Sequence, residues 1–250
     1  MTTTKAFDVK KLTAEFLGTA LLVLGICAAV IRSETNQITF FGIAVAHVII
    51  LASLIYAFGG ISGGHFNPAV TIQFLVFGKI GVRESVGYMI AQFLGGIVGA
   101  VALTLTMGEV GWNLTNSEDV GTKLAANTVF EGHGIVAGIV AELLMTALLV
   151  LSIWISAVNE ETKSNYANWI IGGTLGAGVY VIGPVTNNSL NPARALGPAV
   201  ALCNYNADLV VFFIGPILGG LLGAFLNKVL YASGKGASNE QALVEEVENV

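Results

Sequence analysis

Ser62-Gly63-Gly64-His65-Phe66-Asn67-Pro68-Ala69-Val70 sits inside a run, Asn36 to Gly78, that holds no Asp, Glu, Lys or Arg. Ser189-Leu190-Asn191-Pro192-Ala193-Arg194 sits inside a second run, Ser164 to Ala207, whose single charge is Arg194. Each run is too long for one membrane crossing, which takes about 20 mostly apolar residues. In each, the surplus is a Gly- and Asn-rich loop followed by a short apolar segment. Non-helical backbone at membrane depth is tolerated only inside protein or beside a water-filled cavity. Each surplus therefore predicts a re-entrant loop and a half-helix that begins at the Asn-Pro-Ala step.

The rest of the chain has the composition such loops require. Of 250 residues, 54% are apolar and 11% charged, and the mean hydropathy is +0.77. A soluble domain carries about 25% charged residues. The composition excludes a soluble globular protein and a disordered one. A net charge of −5 offers no basic surface for nucleic acid. Cys27 and Cys203 lie in apolar stretches, and His47, His65 and His133 are scattered. That pattern predicts no disulfide framework, no metal site and no cofactor. Charge-poor stretches predict six spans, at residues 12–31, 40–58, 85–106, 134–157, 168–184 and 208–230. The fold class is an all-α membrane protein in one domain, 1–250, with a polar acidic tail at 232–250.

The chain repeats itself. Ala14-Glu15-Phe16-Leu17-Gly18-Thr19-Ala20-Leu21-Leu22-Val23-Leu24 matches the segment from Ala141 to Leu151 at nine of eleven positions. Asn67-Pro68-Ala69 matches Asn191-Pro192-Ala193, and the segment Leu94 to Ala100 matches Leu218 to Ala224. The first block is offset by 127 residues and the other two by 124. The first repeat covers 12–106 and the second 134–231. Each holds three spans, an odd number, so the halves enter the bilayer from opposite sides as an inverted repeat. The two half-helix N-termini then meet near the midplane. Lys5, Lys10, Lys11, Lys79, Arg83, Lys163, Lys228 and Lys235 fall on one side, which the positive-inside rule makes cytoplasmic along with both termini. Arg32, Lys123, Glu109, Glu118, Asp119 and Glu131 fall on the other.

Asn is a good N-cap and Pro suits the first helical position. Asn67-Pro68-Ala69 and Asn191-Pro192-Ala193 therefore open half-helices whose dipoles put about half a positive charge each at the midplane. The asparagine amides can donate to a passing oxygen. Carbonyls of Gly63, Gly64, His65, Ser189 and Leu190 are candidates to lead toward them. Donors at the centre and acceptors on the approach suit water or a small neutral solute. Cations are opposed by the dipoles and by Arg194. One Asn-Pro-Ala alone reads as an ordinary helix cap. Two at equivalent places in an inverted repeat mark the functional centre.

Both Asn-Pro-Ala segments, with Ser189-Leu190-Asn191-Pro192-Ala193-Arg194-Ala195-Leu196-Gly197-Pro198-Ala199 and the Ala-Glu-Phe-Leu-Gly-Thr opening, resemble the signature segments of the aquaporin (major intrinsic protein) family. The resemblance runs from about Leu12 to Tyr231. It implies a homotetramer with one pore per subunit, passing water and excluding protons and ions. The alternative it leaves is a broader channel that also passes ammonia or small neutral solutes such as glycerol. By spacing from the two motifs, the family's four filter positions fall on His47, Val179, Asn188 and Arg194. The family's strict water channels have Phe and His where this chain has His47 and Val179. His47 with an aliphatic partner resembles the plant vacuolar-membrane subgroup. The run Pro184 to Ser189 is more like bacterial water channels, and Ala195 replaces the Asp of the glycerol branch.

Other readings stand beside these. His47 can be a buried histidine bonded to a neighbour. His65 can gate by protonation or orient carbonyls and pack. Glu15 and Glu142 can relay protons; the resemblance implies that they accept hydrogen bonds from loop amides. The glycines of the Leu94 and Leu218 blocks are expected to let helices approach closely. Asn113-Leu114-Thr115 is a glycosylation sequon. A coupled transporter or membrane enzyme needs an alternating ionisable site or a nucleophile–base pair, and no such catalytic pair is visible, so the chain is read as a non-enzyme. Its partners are membrane lipid and its permeants. The plasma membrane is the expected location, with a vacuolar or other internal membrane as the alternative.

Overall fold

The computed structural model describes residues 7–116 and 123–231. The tail 232–250, Lys5 and Lys235 lie outside the described residues, as do Glu118 and Asp119. The side chains of Glu109, Lys123 and the Asn113 sequon lie outside them too. Among the described residues there are eight α-helices and no strand: α1 Val9–Glu34, α2 Phe40–Ser62, α3 Pro68–Val76, α4 Val82–Asn116, α5 Ile135–Ile153, α6 Ala167–Thr186, α7 Pro192–Ala201 and α8 Leu209–Tyr231. Six helical stretches are long and apolar enough to cross a membrane. α3 and α7 are the two short ones, each starting at an Asn-Pro-Ala proline.

Local chemistry moves several ends outward from the apolar runs. α1 starts at Val9 because Asp8 caps it, accepting from the N–H groups of Lys10 and Lys11 at 3.0 and 3.4 Å. Lys11 then reaches Glu84 of α4 at 2.7 Å. α2 continues through Gly59 and Gly60 and stops at Gly63, whose φ of 90° turns the chain out of the helix. The membrane stretch of α4 ends at Gly108, where the backbone leaves helical geometry. α5 ends in a π-turn, Trp154–Val158.

The halves are packed alike. α1 lies on α4 as α5 lies on α8, α1 touches α2 as α5 touches α6, and α2 meets α6 between the halves. α3 packs on α4 and α8, α7 packs on α4 and α8, and the two short helices touch each other. Glycine permits the closest of these approaches. A Cβ on Gly95 or Gly99 of α4 would lie 2.4 Å from the Phe16 carbonyl oxygen or 2.2 Å from that of Ala20 on α1. On α8, Gly219 and Gly223 stand in the same relation, 2.3 Å each, to the Leu143 and Ala147 carbonyls of α5. Gly96 faces the Ala193 carbonyl of α7, and Gly220 that of Ala69 of α3. Backbone-to-backbone contact of this kind replaces the hydrophobic effect, which is absent between helices in lipid. Large apolar side chains such as Phe41, Leu105, Val136 and Val181 are exposed on the outside of the bundle.

Gly99→Ala and Gly223→Ala are expected to lower stability by about 1–3 kcal/mol each, the range for overpacking. Gly173→Ala, where a Cβ meets nothing within 4 Å, is the control and should melt like the wild type in detergent. Equal melting of all three variants would remove the glycine seams as the cause of close packing.

Candidate functional site

The two half-helices are tied together where they begin. Asn67 caps α3 with its side-chain oxygen, accepting from the Ala69 N–H at 2.9 Å. Asn191 caps α7, accepting from Ala193 at 2.9 Å and Arg194 at 3.3 Å. Each amide nitrogen then crosses to the other loop. Asn67 donates to the Leu190 carbonyl at 2.8 Å, and Asn191 donates to the Phe66 carbonyl at 2.9 Å. A side-chain amide has two N–H donors, so each asparagine keeps one beyond this cross-brace.

The brace needs an unusual backbone. Phe66 and Leu190 adopt left-handed φ values of 48° and 51°, which cost about 1–3 kcal/mol for a bulky residue. Buried carboxylates hold both. Glu15 accepts from the Phe66 N–H at 2.7 Å, the His65 N–H at 3.0 Å, the Ser62 hydroxyl at 2.6 Å and Gln92 Nε2 at 2.7 Å. Glu142 accepts from the Ser189 N–H at 2.9 Å and the Leu190 N–H at 2.7 Å. Both glutamates are fully buried.

A cavity of about 230 Å³ runs beside the brace. One wall is aliphatic, from Leu22, Ile26, Leu51, Ile55, Ile171 and Leu175. The other carries Gly63, Gly64, His65, Asn67, Ser189, Leu190 and Asn191, and Arg194 reaches it as well. The Leu190 carbonyl, a candidate to line the approach, accepts from Asn67. His65 is packed, its ring 4.7 Å from Phe74 and 5.2 Å from Tyr88, with Nδ1 3.1 Å from the Thr71 hydroxyl.

His47, Val179 and Asn188 do not line this cavity. They are buried, as is Arg194. His47 Nδ1 lies 2.8 Å from the Ile43 carbonyl. A carbonyl can only accept, so Nδ1 carries the proton and Nε2 of the neutral ring is an acceptor. Asn188 Nδ2 donates to the Leu175 carbonyl at 3.1 Å, against α6 where Gly178 makes room. Among the described residues its Oδ1 has no partner, and neither do His47 Nε2, Arg194 Nε or Arg194 Nη2. Asn188 thus offers an acceptor. Val179 stands one turn beyond Leu175 on α6.

Two residues outside the sequence-derived set hold the arginine. Arg194 Nη1 donates to the Ala125 carbonyl at 2.8 Å and to Asn127 Oδ1. Asn127 is anchored in turn, donating to the Thr186 carbonyl at 3.0 Å. Leu124 and Ala125 are buried with left-handed φ values of 49° and 53°. The loop therefore dips to the arginine. It belongs to neither repeat, so the repeat could not point to it; the apolar Leu124-Ala125-Ala126 in a polar connection was the available signal.

Six membrane-crossing helices and two half-helices braced at their N-termini define an integral, multi-pass membrane protein of the channel-forming kind. The family model "Major intrinsic protein" matches residues 1–227, and the chain belongs to that family. It is 35% identical to "Aquaporin Z" of Photorhabdus laumondii, over 89% of this chain and 98% of that one. It is 34% identical to "Nodulin-26" of Glycine max, over 92% and 80%. It is 36% identical to "Glycerol uptake facilitator protein-like 6" of Lactiplantibacillus plantarum, over 88% and 98%. The aquaglyceroporin of Plasmodium falciparum shares the fold, with a TM-score of 0.78 at 22% identity over 90% of this chain and 97% of that one.

Glu142→Ala leaves two buried N–H groups unpaired, at about 1–3 kcal/mol each. Glu142→Gln keeps an accepting oxygen and is expected to lose less. Thermal unfolding in detergent reads both; a wild-type melting point for Glu142→Ala would mean that the carboxylate does not hold the second loop.

Proposed function

We propose that the chain is a passive channel for water that excludes protons and ions. The observation that carries this reading is the brace: each asparagine has one N–H to spare at the point where two helix dipoles converge. A water there accepts from both Asn67 and Asn191. Its two lone pairs are then engaged and its hydrogens point away along the pore, so it cannot relay a proton through the file. The dipoles, about half a positive charge each, oppose cations at the same place. Lining groups, a pore arginine and the positive ends of half-helix dipoles together are sufficient for selectivity of this kind.

The constriction reading rests on the four unpartnered polar atoms. Arg194 Nε and Nη2 donate; His47 Nε2 and Asn188 Oδ1 accept. Two hydrogens and two lone pairs on one water complement such a ring. Val179 adds no hydrogen bond. A second reading, a channel that also passes ammonia or small neutral solutes such as glycerol, is favoured by the small Val179 and the aliphatic cavity wall. Relatives named for water and for glycerol both resemble the chain. Coupling to protons has little to work with, because Glu15 and Glu142 are occupied by the loops. We assign both termini to the cytoplasm from Lys10, Lys11, Lys79, Arg83, Lys163 and Lys228. A homotetramer in the plasma membrane, or in a vacuolar or other internal membrane, is the assembly proposed.

Stopped-flow flux of proteoliposomes with water, glycerol and ammonia decides among these. Arg194→Val is expected to keep water flux while admitting protons or larger solutes; unchanged selectivity in a folded variant removes Arg194 from the filter.

His47→Ala is expected to shift the ratio of ammonia to water permeability. An unchanged ratio would take His47 out of the pore.

A further inference from the structure

α5 does not finish as an α-helix. Trp154–Val158 wind as a π-turn, and the Asn159 N–H donates to the Trp154 carbonyl, five residues back, at 2.9 Å. Such turns occur often at functional sites. The α5 segment contributes Leu149, Ile153, Ala157 and Val158 to the cavity. At about 100° per residue, an α-helix would carry Val158 about 140° away from Ile153. The wider turn brings Ala157 and Val158 onto one wall. The first repeat has no such turn: at the offset that aligns Glu15 with Glu142, its equivalent is regular helix within α1.

The π-turn is held from three sides. Trp154 Nε1 donates to Gln73 Oε1 of α3 at 2.8 Å. The carbonyls that the π-turn releases find new donors: the Thr162 hydroxyl bonds the Ile155 carbonyl at 2.5 Å, and the Ser164 N–H bonds that of Ser156 at 2.8 Å. Asn159, the residue that closes the turn, exchanges amide bonds with Asn227 of α8, at 2.7 and 3.4 Å. Asn227 is buried, on a helix face where its neighbours are apolar. A buried amide with one dedicated partner fixes geometry, because losing that partner leaves polar groups unpaired.

We propose that Val158 sets the width of the inner mouth, and that Asn227 is a positioning residue that keeps Val158 there by holding the π-turn through Asn159. This rests on the cavity being the inner half of the pore. Released from Asn227, the turn relaxes toward α geometry and carries Val158 off the cavity wall. The mouth then widens without any change at the constriction or the brace.

The test is water and glycerol flux through the full-length chain in proteoliposomes. Absence of wild-type water and glycerol flux sinks the channel reading, and this one with it; wild-type flux leaves the proposal to the variants alone. Val158→Ala is expected to raise the glycerol-to-water permeability ratio several-fold. Asn227→Ala should raise it similarly, and the double variant should rise no further, since both changes act on one side chain. Asn227→Asp keeps an acceptor for Asn159 and should restore the wild-type ratio. An unchanged ratio in Val158→Ala, or additive effects in the double variant, overturns the proposal. If Asn227→Ala fails to fold, Val158→Cys decides: a water-soluble thiol reagent should block its water flux and spare the wild type with its native Cys27 and Cys203. Failure to block overturns the placement of Val158.

Discussion

The reciprocal bonds from Asn67 to the Leu190 carbonyl and from Asn191 to the Phe66 carbonyl are the constraint on which the rest of the structure depends. They join two short helices whose first-turn N–H groups need partners, and the asparagine side chains supply them. Each asparagine does two jobs at once, capping its own helix and tying the other loop. Each loop must then turn left-handed at a bulky residue. The buried carboxylates of Glu15 and Glu142 make that tolerable by taking the N–H groups the turn exposes. Brace, backbone strain and buried charge form one interdependent unit.

The unit sits deep only because the helices around it come close. α4 and α8 carry glycines on two faces. One pair, Gly95 and Gly99 or Gly219 and Gly223, lets a long neighbour approach; Gly96 and Gly220 let a half-helix approach. A side chain at these places would push the brace apart. The same small residues thus serve helix packing and the geometry of the proposed pore.

Polar groups near the proposed constriction divide by whether the protein uses them. His47 Nδ1, Asn188 Nδ2 and Arg194 Nη1 are bonded to backbone carbonyls, which fixes the side chains. His47 Nε2, Asn188 Oδ1, Arg194 Nε and Arg194 Nη2 are left over. Unpaired polar atoms are expensive in a low-dielectric interior, and leaving these four unused is consistent with the proposal that they meet a permeant. Asn127 extends this logic outward, since it both holds the arginine and is held by α6.

Much of this was legible from residues alone. The charge-free runs located the spans, the duplicated blocks predicted two similar halves, and paired Asn-Pro-Ala steps marked their meeting point, because lipid imposes constraints that one-dimensional composition records. The helix ends were displaced by Asp8, Gly63 and Gly108, which act through capping and backbone angle instead of hydropathy. Three things waited for the tertiary structure. The crossing of the asparagine amides depends on a contact between residues 123 positions apart or more. The dip of Leu124 to Asn127 toward Arg194 has no counterpart in the repeat. The donor or acceptor role of His47 and Asn188 depends on which carbonyl each one meets. Sequence patterns along a helix report which face is apolar; they do not report which of a side chain's polar atoms the fold consumes and which it leaves free.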